Sequence, residues 1–289
     1  MTSRRRLIPY WLLAPGAIWL AVFFVVPMYF MAELSLRQGA SFTEGFSSGF
    51  ELSNYSDSLS GNTEQLVRSF VYAGAATLIG LAIAYPLAYA IALRAGRWKL
   101  LLLFAVIAPF FTTYLIRTIA WKTILADQSP VLDVLQFLAI VPDEGRVLAT
   151  PAAVIAGLTY NFLPFMILPI YASLERLDTS LIEAGKDLYG SATQTFLRVT
   201  LPISMPGVVA GVLLTFIPAI GDYVNAEILG GTGTSMIGNV IQSLYLDERL
   251  YPEAAALSFV MMVAILAVVI VYLRLAGTGA FMGEEEETR

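Results

Sequence analysis

The chain has 289 residues, 57% hydrophobic and 13% charged, with a net charge of −5 and a mean hydropathy of +0.73. A soluble domain carries about 25% charged residues, so this composition excludes an ordinary water-soluble core and calls for lipid as solvent. There is no Cys and no His, which excludes thiol nucleophiles, disulfides, Cys/His zinc sites and the Ser-His-Asp arrangement.

Crossing the hydrocarbon takes about 20 mainly apolar residues in a helix. Six runs qualify, at roughly 8–35, 65–94, 100–125, 150–174, 203–226 and 253–275. Backbone groups must be satisfied internally in lipid, and the alternation of an outer-membrane barrel strand is missing, so all six are expected to be helices. The first run follows Arg4, Arg5 and Arg6. It is longer than the core of a cleaved signal, about 7–15 residues, and reads as an uncleaved first span. The polar, Ser-rich stretch 36–64 is expected to be an outer loop, one that could help seat a soluble partner. Pro86, Pro109, Pro164 and Pro169 inside spans suggest kinks, and 130–142 has the pattern of a short amphipathic helix.

Between the fourth and fifth runs lies the charged stretch EAGKDLYGSATQTFLRVTLP (183–202). Ser180 and Glu183 have the spacing of a capping box, and so do Ser191 and Gln194. Gly190 between them suits a left-handed helix end. The stretch therefore reads as helix, glycine corner, helix, stopping at Pro202, which has no N–H to donate. Gly207 and Gly211 form a G-x-x-x-G spacing in the fifth run, read as internal close packing in preference to a dimer contact.

Lys and Arg decide orientation. With the N-terminus inside, 11 of the 17 basic residues fall on the cytoplasmic side, whereas 14 of the 22 acidic residues fall outside. The outer face is then acidic and favours the approach of cations, although the positive-inside bias by itself produces the same asymmetry.

The stretch 183–202 resembles the EAA loop of permease subunits in bacterial ABC importers, E-A-A-x3-G followed by a hydrophobic residue and L-P. Glu183 and Ala184 match the first positions, Gly185 stands at the third Ala, and Tyr189 stands at the usual glycine with Gly190 one step later. PFFTTYLIRTIAW (109–121), GLTYNFLPFMILPIYASLERLD (157–178), LPISMPGVVAGVLL (201–214) and GGTGTSMIGNVIQ (230–242) are similar to the B-type permease of spermidine/putrescine transporters. Related permeases carry iron, molybdate or sugars.

The resemblance implies an all-α membrane protein of six transmembrane helices with the type I ABC importer permease fold and both termini in the cytoplasm of a bacterial inner-membrane system. Residues 1–64 would hold the first helix and an outer loop. Residues 65–275 would form the permease core, with the coupling loop at 176–202, and 276–289 an acidic cytoplasmic tail. It also implies a second permease subunit, two copies of a cytoplasmic ATPase, an extracytoplasmic binding protein and a polyamine substrate; no nucleic acid is expected. Glu183, Ala184, Gly185, Asp187, Leu188, Tyr189 and Gly190 would engage the ATPase.

A P-loop needs G-x4-G-K-[ST]. The one Gly-Lys pair, Gly185-Lys186, is followed by Asp187, so this sequence has no P-loop. ATP and Mg are expected in the partner, with no cofactor, metal or catalytic residue here. Ionisable groups at membrane depth usually face a cavity or each other. Asp222, Tyr223 and Glu227, with Tyr114, Tyr160 and Asn161, are candidates for a substrate path, since carboxylates and aromatic faces both attract ammonium groups. Asp222 and Glu227 could equally be solvated interfacial carboxylates or pair with Arg117 and Lys122. The rival class is an ion-gradient-driven secondary transporter, whose mark is an inverted repeat. A membrane-bound enzyme has little to recommend it without His, Cys or a dense carboxylate cluster.

Overall fold

The structure, a computed structural model, describes residues 4–38, 49–139, 141–142 and 145–276. The acidic stretch 277–289 and residues 39–48 of the expected 36–64 loop lie outside the described residues. Thirteen α-helices and no β-strand occur among those described. Five helical segments are long and apolar enough to cross a membrane: Leu12–Ser35, Ser53–Leu93, Pro151–Glu175, Ala192–Ile220 and Tyr251–Leu275. A sixth is the bent pair Gly96–Phe111 and Tyr114–Ile124. The chain is thus a multi-pass helical membrane protein.

Among the described residues two compact units form, one within the bounds Met1–Thr63 and Val240–Ala264, the other within Glu64–Asn239 and Ile265–Arg289. In the first, α1 (Arg4–Leu20) continues through a wide turn, Ala21–Val25, into α2 (Val26–Ser35). Trp19, Phe23, Phe24 and Phe30 on this span are exposed, as expected for a lipid-facing helix. Its end is tied to the start of α3 (Ser53–Leu93). The Asn54 side-chain amide donates to the Ser35 and Arg37 carbonyls at 3.0 Å each, and the Ser35 and Tyr55 hydroxyls meet at 2.6 Å. These bonds explain why α3 begins within the expected polar loop, well before the hydrophobic run. The surplus is set off by a break at Asn62 (φ −127°, ψ 18°).

The second unit contains the core. α7 (Pro151–Glu175) and α10 (Leu201–Ile220) are its main pair. A Cβ on Gly207 would overlap the Pro169 carbonyl oxygen, and one on Gly211 would lie 3.0 Å from that of Met166. The G-x-x-x-G spacing therefore serves internal packing of α10 on α7. Ala84, Ala88, Ile91, Met166, Ile167 and Ile170 fill the layer where α3 joins them, and the Tyr85 hydroxyl meets Ser204 Oγ at 2.7 Å.

Two expectations need correction. The third run is not one helix: α4 (Lys99–Ile107) ends in a tight turn, Ala108–Phe111, and α5 (Tyr114–Ile124) leaves at 96°. Pro109 sits in that turn, and Thr112 (ψ 140°) and Thr113 (ψ 146°) are extended, so the helical ladder is broken outright. Pro86, Pro164 and Pro169, by contrast, lie inside continuous helices. Nor does the second helix of the coupling stretch stop at Pro202. From α9 (Ala192–Thr195) it passes through a π turn, Phe196–Thr200, into α10, giving one span of 29 residues. The Leu201 N–H reaches back to the Phe196 carbonyl, and the wider turn makes room for a ring that an α ladder would reject.

The expected amphipathic helix is α6 (Pro130–Phe137), started by Ser129, whose hydroxyl accepts the Leu132 N–H at 3.2 Å. α11 (Val224–Leu229) and α12 (Ile237–Leu246) follow α10, and α13 (Tyr251–Ala276) is the last span.

Candidate coupling and substrate sites

α8 (Thr179–Tyr189) is the first arm of the coupling stretch. Its cap is Asp178: the carboxylate accepts the Ser180 N–H at 2.9 Å. That backbone bond, helped by the Ser180 hydroxyl, holds the Asp178 carboxyl below the usual carboxylate range. The expected Ser180/Glu183 capping box is therefore superseded, because Asp178 takes the N-cap position two residues earlier. At the other end Gly190 adopts φ +64° and donates its N–H to the Lys186 carbonyl at 2.8 Å. Nothing lies within 4 Å of a Cβ built there, so the glycine is present for conformation and not for space. Ser191 then caps α9, accepting the Gln194 N–H at 3.3 Å. The displaced glycine does supply the corner.

Gly185 has the opposite reason. It is buried, and a Cβ would stand 2.9 Å from Thr195 Cγ2 and 3.1 Å from Val199 Cγ2. The elbow closes more tightly than an Ala would allow. Glu183, Asp187 and Leu188 are left exposed, Leu188 by 75%, and so is Ala184. The Arg198 guanidinium lies 4.9 Å above the Tyr189 ring. Between the arms is a depression of about 250 Å³ lined by Leu181, Ala184, Leu188, Tyr189, Arg198 and Pro202. Its floor is apolar, and the Arg198 guanidinium stands at its edge.

The substrate-path candidates separate into two groups. Asp222, Tyr114 and Asn161 are brought together. Asp222 is 8% exposed and Asn161 1%. The Tyr114 hydroxyl donates to Asp222 Oδ2, and the Asn225 N–H donates to Asp222 Oδ1 at 2.7 Å. Asn225 Nδ2 donates to the Tyr114 oxygen at 2.5 Å. Asn161 Nδ2 donates to both Asn225 Oδ1 and Thr118 Oγ1, at 3.1 Å each. A continuous polar chain thus joins the broken third span, α7 and the segment after α10. A buried carboxylate is costly unless hydrogen bonds satisfy it, and two donors do so here. Asn161 Oδ1 retains no partner.

Tyr223 and Glu227 stay outside this chain. Tyr223 is 44% exposed; Glu227 is exposed and accepts Asn239 Nδ2 at 3.2 Å. Tyr160 is half-buried and packs its ring 5.3 Å from that of Trp121. Arg117 does not pair with Asp222 or Glu227. It is buried, its guanidinium 4.8 Å from the Phe110 ring centre and 5.8 Å from that of Tyr114, while Nε and Nη1 have no partner. Such stacking is worth about 0.5–2 kcal/mol, against several kcal/mol for burying an unpaired charge. Asn225 and Thr118 are absent from the candidates that sequence reasoning supplies. A signal was available: Thr118 is one helical turn after Tyr114, on the same face, and Asn225 follows Asp222 at capping distance.

An all-helical chain whose helix–glycine–helix elbow runs on into a span, beside a buried polar chain, is the layout of a membrane transport subunit. Residues 100–277 match the family model described as binding-protein-dependent transport system inner membrane component, and the chain belongs to that family of multi-pass inner-membrane proteins. It is 38% identical over 259 residues to the spermidine/putrescine transport system permease protein PotB of Escherichia coli (strain K12), covering 89% of this chain and 93% of that one. The PotB protein of Haemophilus influenzae is 37% identical over 89% of this chain and 90% of its own. Among solved structures, a chain of a bacterial alginate ABC transporter in complex with an alginate pentasaccharide-bound periplasmic protein superposes with a TM-score of 0.68 at 17% identity, covering 95% of each chain; this shows the ABC importer permease fold.

Proposed function

We propose that the chain is the permease subunit of an ATP-driven polyamine importer, of the spermidine/putrescine kind. The observation that carries this reading is the 38% identity with a spermidine/putrescine permease, sustained over 89% of the chain. In this reading the chain forms half of a pore with a second permease. A binding protein delivers substrate from outside, and two cytoplasmic ATPases, holding ATP and Mg, supply the work. The Lys/Arg distribution supports a cytoplasmic position for α8. Its exposed Glu183, Ala184, Asp187 and Leu188 beside the 250 Å³ depression support docking of an ATPase there.

The substrate path runs by Tyr223 and Glu227, whose exposed ring and carboxylate suit an ammonium group. Asp222, Tyr114 and Asn161 form its supporting wall, and Tyr160, packed against Trp121, stands apart from it. Movement of α8 reaches that wall because the second arm of the elbow and α10 are one continuous span, Ala192–Ile220. Co-expression with a second permease, an ATPase and a binding protein of a polyamine importer, followed by ATPase assays of the purified complex, tests the reading. Binding protein loaded with spermidine or putrescine should stimulate hydrolysis, and binding protein offered iron, molybdate or sugars should not. Stimulation by one of those solutes and not by polyamines contradicts it.

A further inference from the structure

The bend in the third span leaves a cleft that transport does not account for. Its walls include Leu87 and Ile91 of α3, Val106 of α4 and Leu163 and Ile167 of α7, and its volume is about 290 Å³. Leu102 and Ala105, on the α4 rim, are exposed, so the cleft opens to the outside of the unit. Among the described residues that line it, Arg117 is the one charged side chain. Arg117 is 9% exposed, its Nε and Nη1 donate to nothing, and no carboxylate among the described residues forms an ion pair with it.

A guanidinium keeps its charge at any physiological pH and presents a planar fork suited to phosphate or carboxylate. The chemistry of the site therefore asks for an anion attached to an apolar body. A transported cation is repelled by Arg117. A partner helix, about 10 Å across with its side chains, is too thick for this volume, and a lone acidic side chain would leave the apolar walls uncovered. Tyr160, which also lines the cleft, packs its ring 5.3 Å from that of Trp121, and exposed Lys122 follows.

We propose that the cleft is a lipid site: one acyl chain of an anionic phospholipid lies along α3, α4 and α7, and its phosphate pairs with Arg117. The test uses the whole transporter complex, extracted from bacterial membranes and returned to nanodiscs of phosphatidylcholine doped with phosphatidylglycerol. Bound lipid is counted by native mass spectrometry. The wild-type complex should retain phosphatidylglycerol about tenfold over phosphatidylcholine, a preference of about 1.4 kcal/mol. Arg117→Gln should abolish that preference, and Arg117→Lys should keep part of it. Ala105→Phe, which fills the cleft and leaves the guanidinium in place, should lower retention of both lipids. Equal retention of the two lipids by the wild type, which needs no variant to fold, overturns the proposal. So does undiminished phosphatidylglycerol in Arg117→Gln, or a carboxylate of the second permease found cross-linked at the cleft.

Discussion

Tyr114 donates its hydroxyl hydrogen to the buried carboxylate of Asp222, 108 residues further along the chain. The bond joins the half-helix after the break in the third span to the end of the fifth. Neither partner is satisfied alone: Asn225 bonds both the Asp222 carboxylate and the Tyr114 oxygen. The four residues Tyr114, Asp222, Asn225 and Asn161 therefore act as one unit.

Tyr114→Phe should destabilise the assembled permease by about 1–3 kcal/mol, the cost of stranding a buried polar group. Asp222→Asn should reduce polyamine uptake at limiting substrate while the complex still assembles. Because the two residues share one bond, the double variant should lose less than the sum of the singles, with a coupling of about 0.5–3 kcal/mol. Thermal denaturation of the purified complex measures this; strict additivity contradicts the network.

The elbow makes a sharper demand at Gly185 than at Gly190. An Ala side chain at position 185 meets Thr195 and Val199, and overpacking of that kind costs about 1–3 kcal/mol, enough to lower the population of the closed elbow about tenfold. Gly190→Ala meets no neighbour and carries only the left-handed backbone cost, roughly 1–2 kcal/mol, which Gly190→Asn should largely avoid. ATPase co-purification and coupled transport should thus fall least in Gly190→Asn, more in Gly190→Ala and most in Gly185→Ala. A Gly185→Ala variant with wild-type coupling contradicts the tight elbow.

The cap distinguishes two residues of similar chemistry. Asp178→Ala should loosen α8, whereas Ser180→Ala should be mild. The folded Asp178 carboxyl titrates below its ordinary value of 3.8. Its contribution is therefore fully present above about pH 4 and disappears as the pH falls through the lowered value. Limited proteolysis of the 176–202 segment at neutral pH reads the difference; equal sensitivity of the two variants contradicts the assignment.

Gly207→Ala should cost more than Gly211→Ala. The first drives a methyl into the Pro169 carbonyl oxygen, whereas the second places one 3.0 Å from the Met166 carbonyl oxygen. Melting temperatures in detergent provide the comparison, and a reversed order contradicts the α7–α10 packing.

Much of the fold was legible because hydropathy over about 20 residues reports spanning directly. The corner at Gly190 was legible because capping patterns and glycine are local signals. The break after Pro109 was not, since the same proline signal at Pro86, Pro164 and Pro169 sits within unbroken helices. The continuation through Pro202 needed a π turn that no residue pattern announces. In the site, Asp222, Tyr114 and Asn161 stand out in the sequence as polar groups at membrane depth, but their mutual bonding spans 64 to 111 residues of sequence. Charge alone suggests a carboxylate partner for Arg117, whereas the fold turns it onto Phe110.

The central claim is polyamine import driven by an ATPase through the α8 elbow. Proteoliposomes holding the full complex, with ATP on the ATPase side and binding protein on the opposite face, test it most directly. Labelled spermidine should accumulate with ATP and the wild-type chain, and fail to accumulate with Glu183→Ala and Asp187→Ala combined, although the complex is present at normal level. Accumulation without ATP, or unchanged accumulation by the combined variant, would contradict the account.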